Sequence, residues 1–170
     1  MSKKNKNKSQ PKARCIPVYK QPRAHHEPHS GEPRSRENPG ATDNMTPAWQ
    51  FHRCDADHVL WGWGKLGDKE HLNIIKALHS FETMTWNQIK QAAGGRSSGT
   101  NSHPLSIDEF VKEAKKRLEE LKISDDYEEL FSLRLENKLR LYGIRDGRVL
   151  RFIWHDPHHG NKDGAYPTKK

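Results

Sequence analysis

The sequence predicts an α+β domain in which about three helices precede a three- or four-stranded antiparallel sheet, behind a disordered N-terminal tail. Apolar residues recur every three or four positions between residues 68 and 121, which is the period of amphipathic helices. Between residues 131 and 154 they alternate instead, as in half-buried strands. We therefore divide the chain into a basic, proline-rich tail (residues 1–45), one domain (residues 47–160) and a flexible C-terminal tail (residues 161–170).

The N-terminal 45 residues differ in composition from the rest of the 170-residue chain. They hold 10 Lys and Arg against 4 Asp and Glu, together with 6 of the 10 prolines. Because such a segment has few apolar side chains, it does not offset the entropy cost of ordering itself, and we predict disorder. Two interpretations stay open: a solubilising extension, or an electrostatic arm for nucleic acid.

Several classes of protein are excluded by features that the sequence lacks. No stretch approaches the roughly 18 consecutive apolar residues of a membrane-spanning helix, and no apolar signal-peptide segment follows the basic N-terminus. The two cysteines, Cys15 and Cys54, are too far apart for a CxxC metal site and too few for a disulfide framework. We therefore expect a cytoplasmic protein with no membrane association, no metal and no cofactor.

Helix-start patterns place the three helices. A first helix begins at Asp68, and its predicted core stripe is Leu72, Ile74, Ile75, Leu78 and Phe81. The S/T-x-x-E/Q capping pattern, which satisfies free backbone N–H groups, occurs at residues 85–88 and again at residues 106–109. The first occurrence predicts a short helix, and the second predicts a longer helix that continues to residue 121.

Two aromatic segments precede the first helix. Trp49 and Phe51 alternate as in a short strand. Trp61 and Trp63 are each followed by a glycine. Such a pair either packs over the end of a core or stacks on a base or sugar, and the sequence leaves both interpretations open.

The alternating segment predicts strands joined by short turns. Asp146-Gly147 is a two-residue hairpin signal, which pairs Leu141 with Phe152. One face then collects apolar side chains and must be buried against the helices. These side chains are Phe131, Leu133, Leu135, Leu139, Leu141, Leu150, Phe152 and Trp154.

The opposite sheet face carries four candidate nucleic-acid-binding residues, Arg134, Arg140, Tyr142 and Arg151. In the predicted register Arg134 lies opposite Arg140, and Tyr142 lies opposite Arg151. Like charges across a strand pair are unfavourable, so an anionic ligand between them would stabilise the arrangement. Arginines around a tyrosine on an open face suit a nucleic-acid backbone and a stacked base. The alternative is a solvated outer face.

The last predicted strand ends in a turn rich in histidine. His155 and His158 can exchange protons near neutral pH, and Asp156 can orient one of them. Together with His159 they also include the residue types of a metal site, but adjacent residues on an extended turn converge poorly on one ion. We therefore predict no metal here, and we keep proton transfer and a plain Asp-Pro turn as the two interpretations.

The segments LRLYGIR (residues 139–145) and DGRVLRF (residues 146–152) resemble the core strands of the RelE/ParE superfamily of small toxins, and the WHDPH end at residues 154–158 is similar to that of uncharacterised bacterial domains that end in such a strand. The resemblance covers about residues 106–159. It implies messenger RNA as the target, an antitoxin-like protein partner and, in some members, cleavage without a metal. Carried over by position, Arg140, Tyr142 and Arg151 bind RNA or stabilise charge, and His155 or His158 moves protons.

Three functional hypotheses follow from the residues and the resemblance. The first is a toxin-like, metal-independent endoribonuclease with His155, His158 and Arg151 as catalytic residues. The second is a non-catalytic nucleic-acid-binding module, and the third is a protein-interaction module. The first requires the arginines, Tyr142 and a histidine on one surface, because proton transfer needs hydrogen-bond reach.

Overall fold

The computed structural model describes residues 40–92, 102–135 and 138–167. Residues 1–39, which make up most of the predicted disordered tail, lie outside the described residues, as do residues 168–170. Among the helices of the described ranges, none is long and apolar enough to cross a membrane.

The described residues form one mixed sheet of five strands. These are β1 (Ala48–Gln50), β2 (His103–Ser106), β3 (Glu129–Arg134), β4 (Arg140–Asp146) and β5 (Val149–Asp156), in the spatial order β1-β5-β4-β3-β2. β1 is parallel to β5, and the other neighbours are antiparallel. The α+β class is confirmed, but the prediction of three or four antiparallel strands is wrong. β2 is too short to show a clear alternation, and the pairings of both edge strands are non-local.

The helices are α1 (Asp68–Phe81), α2 (Trp86–Gln91) and α3 (Lys112–Glu120). α2 has the predicted capping box, in which Thr85 Oγ1 accepts the backbone N–H of Gln88 and Gln88 Oε1 accepts that of Thr85. The second capping pattern starts only a 3-10 turn (Ile107–Glu109). α3 begins later than predicted, after Val111, whose N–H donates to the carbonyl of Ala165 in a tertiary contact.

Only part of the predicted α1 stripe is buried. Ile74 and Leu78 pack against the sheet, whereas Leu72 and Ile75 are 51% and 61% exposed. A three-residue spacing drifts around a helix that has 3.6 residues per turn. The buried face of α1 is therefore narrower than the stripe predicted from the sequence.

The β4–β5 hairpin turns one residue later than predicted. The chain leaves β4 after Asp146 and turns at Gly147, whose φ of 59° is a conformation that glycine adopts without strain. Every pair along the hairpin shifts accordingly, so Arg151 lies opposite Ile144 rather than opposite Tyr142. The predicted pairing of Tyr142 with Arg151 is wrong.

A β-bulge in β5 moves Trp154 to the other face of the sheet. Gly143 pairs with Phe152 and Tyr142 pairs with Trp154, so Ile153 is the additional residue. Ile153 and Trp154 therefore pack in the core on one face, and Phe152 packs in the core on the other. The prediction that Trp154 shares a face with Phe152 is wrong, because alternation alone does not reveal a bulge.

Both faces of the sheet are buried. α1 and α2 cover one face, whose core includes Trp86 and Phe152. α3 and the segment after β5 cover the other face, whose core includes Phe110, Tyr142 and Trp154. The prediction of an open outer face is therefore wrong, and Tyr142 is fully buried.

The domain extends beyond the boundaries predicted at residues 47 and 160. Asp43 forms ion pairs with Lys90 of α2 and with Arg145 of β4, the latter at 2.7 Å. At the other end, Ala165 and Tyr166 are buried in the core beneath α3. Both ends of the described chain thus belong to the domain.

A buried carboxylate joins the loop after β1 to α3 and β5. Asp55 accepts two hydrogen bonds from the guanidinium of Arg117, both at 2.8 Å, and the indole N–H of Trp154 at 3.0 Å. Burial alone would raise the pKa of Asp55, but these hydrogen bonds hold that pKa well below its usual range. The carboxylate therefore stays ionised and fixes the loop against the core.

Candidate nucleic-acid interface

Basic side chains from three strands and one loop meet at the end of the sheet where β3 stops and β4 begins. This basic cluster consists of His103 of β2, Arg134 of β3, Arg140 of β4 and His159, which follows β5. Arg134 and Arg140 lie directly opposite each other, so this predicted pairing is confirmed. The alternation of β4 places Arg140 on the same face as Tyr142, which is the face that α3 covers.

The arginines of the basic cluster disfavour positive charge on their neighbours Arg140 and His159. Arg140 is 7% exposed, and burial together with the neighbouring Arg134 lowers its pKa to about 10. Burial, and then the basic neighbours in the cluster, lower the pKa of His159 to about 4. An anion placed among these side chains would offset the repulsion and form charge-assisted hydrogen bonds.

One buried carboxylate lies beneath the basic cluster. Asp156 is opposite Arg140 in the β4–β5 pair, and it accepts the backbone N–H groups of His158 at 2.7 Å and Ala165 at 2.9 Å. Burial raises the pKa of Asp156 to about 6, although these hydrogen bonds and the nearby His158 and Arg140 act in the opposite direction. Asp156 therefore anchors the segment after β5 beside the cluster.

Two tyrosines fix the orientation of His159. Its Nδ1 lies 2.7 Å from the hydroxyl of Tyr142, and its ring stacks on that of Tyr166 with centroids 5.5 Å apart and planes at 12°. The Tyr166 hydroxyl donates to Glu109 Oε2 at 2.7 Å. Burial, and then Asp156, raise the pKa of Tyr142 far above its usual value, so its phenol stays protonated. The contact with Tyr142 occupies Nδ1 and leaves Nε2 of His159 as the ring nitrogen for a ligand.

Two residues of the predicted site lie away from the basic cluster. Arg151 is near the start of β5, where it donates to Asp146 Oδ2 at 2.6 Å and to Gln50 Oε1 at 3.2 Å. His155 follows the alternation of β5 onto the face covered by α1 and α2, and its ring centroid lies 6.0 Å from that of Trp63. The predicted residues that the structure does bring together are Arg134, Arg140 and Tyr142, whereas His158 is held by its backbone N–H, which donates to Asp156.

His103 and His159 belong to the interface, although no sequence pattern predicts them there. His103 joins it through the pairing of β2 with β3, which is a non-local contact. His159 returns to the sheet because β5 ends at Asp156-Pro157 and the chain folds back, with the N–H of Asn161 donating to the carbonyl of His158. The Asp-Pro turn was the available signal, but it does not specify the direction in which the chain returns.

The fold and the basic cluster define an α+β protein with a candidate anion site at one end of a mixed sheet. No protein-family model, no curated protein and no solved structure matches this chain. The resemblance to the RelE/ParE superfamily therefore stays a prediction. Within the described ranges, no three His, Cys, Asp or Glu side chains form a group that could hold a metal ion.

We expect the stability of the domain to depend on pH through Asp156. The pKa of this carboxyl is about 6 in the folded protein, against an ordinary value of 3.8. Because the folded protein binds the proton more tightly, the contribution of Asp156 to the free energy of unfolding is largest below pH 3.8 and decreases as the pH rises through about 6. The decrease is about 3 kcal/mol, at about 1.4 kcal/mol for each pKa unit.

Urea denaturation of the wild type and of Asp156→Asn, in mildly acidic and in neutral buffer, measures this effect. The Asn side chain does not titrate, so we expect the wild type to lose stability relative to the variant as the pH rises. Asp125→Asn, which removes an exposed carboxylate, is the control. A difference between the wild type and Asp156→Asn that is independent of pH would contradict the prediction.

Proposed function

We propose that this protein binds RNA through the basic cluster. One observation carries the proposal: two arginines and two histidines from four separate segments converge on one end of the sheet, and the pKa of Arg140 is lowered to about 10 by burial and by Arg134. Arginine donors in a fork match phosphate oxygens, and partial burial strengthens each such contact. A ribose-phosphate backbone supplies the anion that this arrangement favours.

The chain as a whole supports the encounter with a polyanion. Its net charge is +8, and the Lys and Arg residues are most concentrated in residues 1–45. Tyr142 contributes by holding His159 rather than by stacking on a base, because the tyrosine ring is buried. The proposal therefore assigns backbone binding to Arg134, Arg140 and the two histidines.

Replacing Arg134 with Gln is expected to weaken RNA binding severalfold and to reduce its dependence on salt. Each phosphate contact that is lost removes about 0.7 from the slope of log affinity against log salt for a single strand. The measurement is fluorescence anisotropy of a labelled single-stranded RNA over a salt series in EDTA. Arg148→Gln, which removes an exposed arginine from the β4–β5 turn, is the matched control.

Arg151→Gln tests whether RNA binds at the basic cluster or at the site predicted from the sequence, which included Arg151. We expect this variant to bind RNA as the wild type does, because Arg151 lies at the far end of β5 with Asp146 and Gln50. Equal losses for Arg134→Gln, Arg148→Gln and Arg151→Gln would mean that only the total charge matters. That outcome would overturn the proposal of a defined site.

A second candidate function is cleavage of the bound RNA without a metal, and the Tyr142–His159 contact at 2.7 Å beside Arg140 favours it. In this mechanism Nε2 of His159 takes the proton of the 2′-hydroxyl, and O2′ forms a bond to phosphorus. The P–O5′ bond breaks, giving a 2′,3′-cyclic phosphate, while O5′ takes a proton from water. Arg134 and Arg140 stabilise the charge that develops on the phosphate oxygens.

The bound phosphate also supplies the base strength that this mechanism needs. In the free protein the pKa of His159 is about 4, because burial and basic neighbours disfavour its charged form. A phosphate between Arg134 and Arg140 offsets those neighbours and raises the pKa of His159, which makes the imidazole a better base near neutral pH. The catalytic roles predicted for His155 and Arg151 then pass to His159 and Arg140.

The wider biological setting rests on the resemblance to the RelE/ParE superfamily. It comprises a toxin-like role, an antitoxin-like protein partner and a cytoplasmic location, and each stays a prediction. Binding without cleavage is the alternative to the endoribonuclease. A protein-interaction module is the alternative to both, and it predicts no binding of RNA.

A further inference from the structure

Two aromatic rings in contact, one exposed and one half-buried, lie at the β1 edge of the sheet, outside the basic cluster. Phe51 directly follows β1 and is 49% exposed, and its ring meets that of Trp63 edge to face with centroids 5.6 Å apart. We call these two residues the aromatic platform. Trp63 is half-buried, whereas the neighbouring Trp61 is 1% exposed and belongs to the core. The two tryptophans of the Trp-Gly-Trp-Gly segment therefore have different roles.

The aromatic platform is held rigidly. The indole N–H of Trp63 donates to the carbonyl of Ile153 at 3.1 Å, and the ring of Phe51 packs on the fully buried Phe152 at 5.1 Å. Gly62 lets the loop pack closely, since a Cβ atom there would lie 2.3 Å from the carbonyl oxygen of His58. Because these rings are already held in place, a ligand that stacks on them would lose little binding free energy to ordering their side chains.

Positive charges flank the aromatic platform along the chain. Arg53 lies two residues after Phe51, Lys65 lies two residues after Trp63, and both side chains are exposed. Within the described part of the chain, neither forms an ion pair or a side-chain hydrogen bond. An exposed ring with exposed cations two residues away in the chain is a combination suited to binding single-stranded nucleic acid.

We propose that Phe51 and Trp63 stack on unpaired bases of the RNA whose backbone the basic cluster binds. This inference rests on the proposed function for its ligand, but it concerns a separate surface: Trp63 packs with the core beneath α1 and α2, and the cluster lies on the face of α3. A base fits better than a folded protein partner, because two rings are far smaller than the roughly 1,200 Å² of a stable protein interface. The platform makes the protein prefer single strands over duplexes, since paired bases present no free ring face.

The test compares two ligands of equal length and charge: an oligouridylate, and a ribose-phosphate chain that lacks bases. We expect the wild type to bind the oligouridylate about fivefold to tenfold more tightly, which is the order of one stacked base. Phe51→Leu keeps an apolar contact with Phe152 but loses the ring, so it should remove this preference and leave binding of the abasic chain unchanged. Leu72→Ala, at an equally exposed apolar residue, is the control and should keep the preference.

The outcomes separate this proposal from the proposed function. Arg134→Gln should weaken the binding of both ligands equally. If it weakens the binding of neither, while Phe51→Leu still removes the preference, the proposed role of the basic cluster is wrong and that of the aromatic platform is supported. Equal binding of the two ligands by the wild type, or an unchanged preference in both Phe51→Leu and Trp63→Phe, overturns the platform alone. If neither ligand binds, both proposals fail. Self-association lost in Phe51→Leu would then assign the rings to a protein contact.

Discussion

Replacing Asp55 with Ala should lower the free energy of unfolding by about 3 kcal/mol, the lower end of the range for breaking a buried ion pair. The carboxylate accepts both hydrogen bonds of the Arg117 fork and the indole N–H of Trp154. Its loss leaves the indole N–H of Trp154 without its partner and leaves the Arg117 guanidinium, whose side chain is only 26% exposed, paired with Glu120 alone. Because water partly reaches the guanidinium of Arg117, we expect the loss of unfolding free energy to lie near the lower end of that range.

Urea denaturation followed by tryptophan fluorescence measures the effect of Asp55→Ala. Asp57→Ala, which removes a neighbouring exposed carboxylate from the same loop, is the control and should change stability by less than about 0.5 kcal/mol. The pKa of Asp55 is depressed, so its stabilisation is present above pH 3.8 and is lost as the pH falls below that value. The difference between the wild type and Asp55→Ala should therefore shrink in acid. Equal losses for Asp55→Ala and Asp57→Ala would contradict this account.

The parts of the fold that sequence predicted correctly are those fixed by local chemistry. The capping box of α2 was predicted because Thr85 and Gln88 satisfy each other's backbone groups within one turn of helix. The pairing of Arg134 with Arg140 was predicted because a short loop joins β3 to β4 and leaves one register. In both cases the partners are close in sequence, so the local sequence pattern is enough to predict the contact.

The errors arise where distant segments decide the structure. The parallel pairing of β1 with β5 joins Ala48 to Val149, and no local pattern encodes it. The face of Tyr142 was predicted to be open, although Ile144 and Ile153 share it and both are buried. Those two isoleucines were the signal that α3 covers this face. Both faces of the sheet are therefore buried, and the polar residues of the alternating pattern lie at one end of the sheet rather than on a solvated face.

The candidate site shows the same division. Sequence placed Arg134, Arg140 and Tyr142 together because they share one face of adjacent strands. It did not place His159, because a local turn held by the hydrogen bond from His158 to Asp156 does not set the direction of the chain, which also depends on the hydrogen bond from Ala165 to the same carboxylate. The residue proposed here as the base is thus one that no spacing rule would have selected.

Replacing His159 with Ala should reduce cleavage of RNA by about 10²-fold to 10⁴-fold, which is the usual contribution of a positioned acid–base group. The measurement follows the appearance of a 2′,3′-cyclic phosphate end in EDTA, with protein in excess over RNA so that binding is saturated. His71→Ala removes an exposed histidine on α1 and is the matched control, which should leave the rate unchanged. His155→Ala should also leave it unchanged, because His155 lies on the face covered by α1 and α2.

Tyr142→Phe tests whether Tyr142 positions His159 rather than taking part in the reaction itself. The variant keeps the buried ring and loses the hydroxyl that lies 2.7 Å from Nδ1 of His159, so we expect a smaller loss of rate together with a shift of the pH profile. Conversion of the RNA at equal rates by the wild type and His159→Ala would exclude His159 as the base. No cleavage by the wild type, with binding still lost in Arg134→Gln, would leave an RNA-binding module whose buried Tyr142–His159 contact serves only to hold the basic cluster in shape.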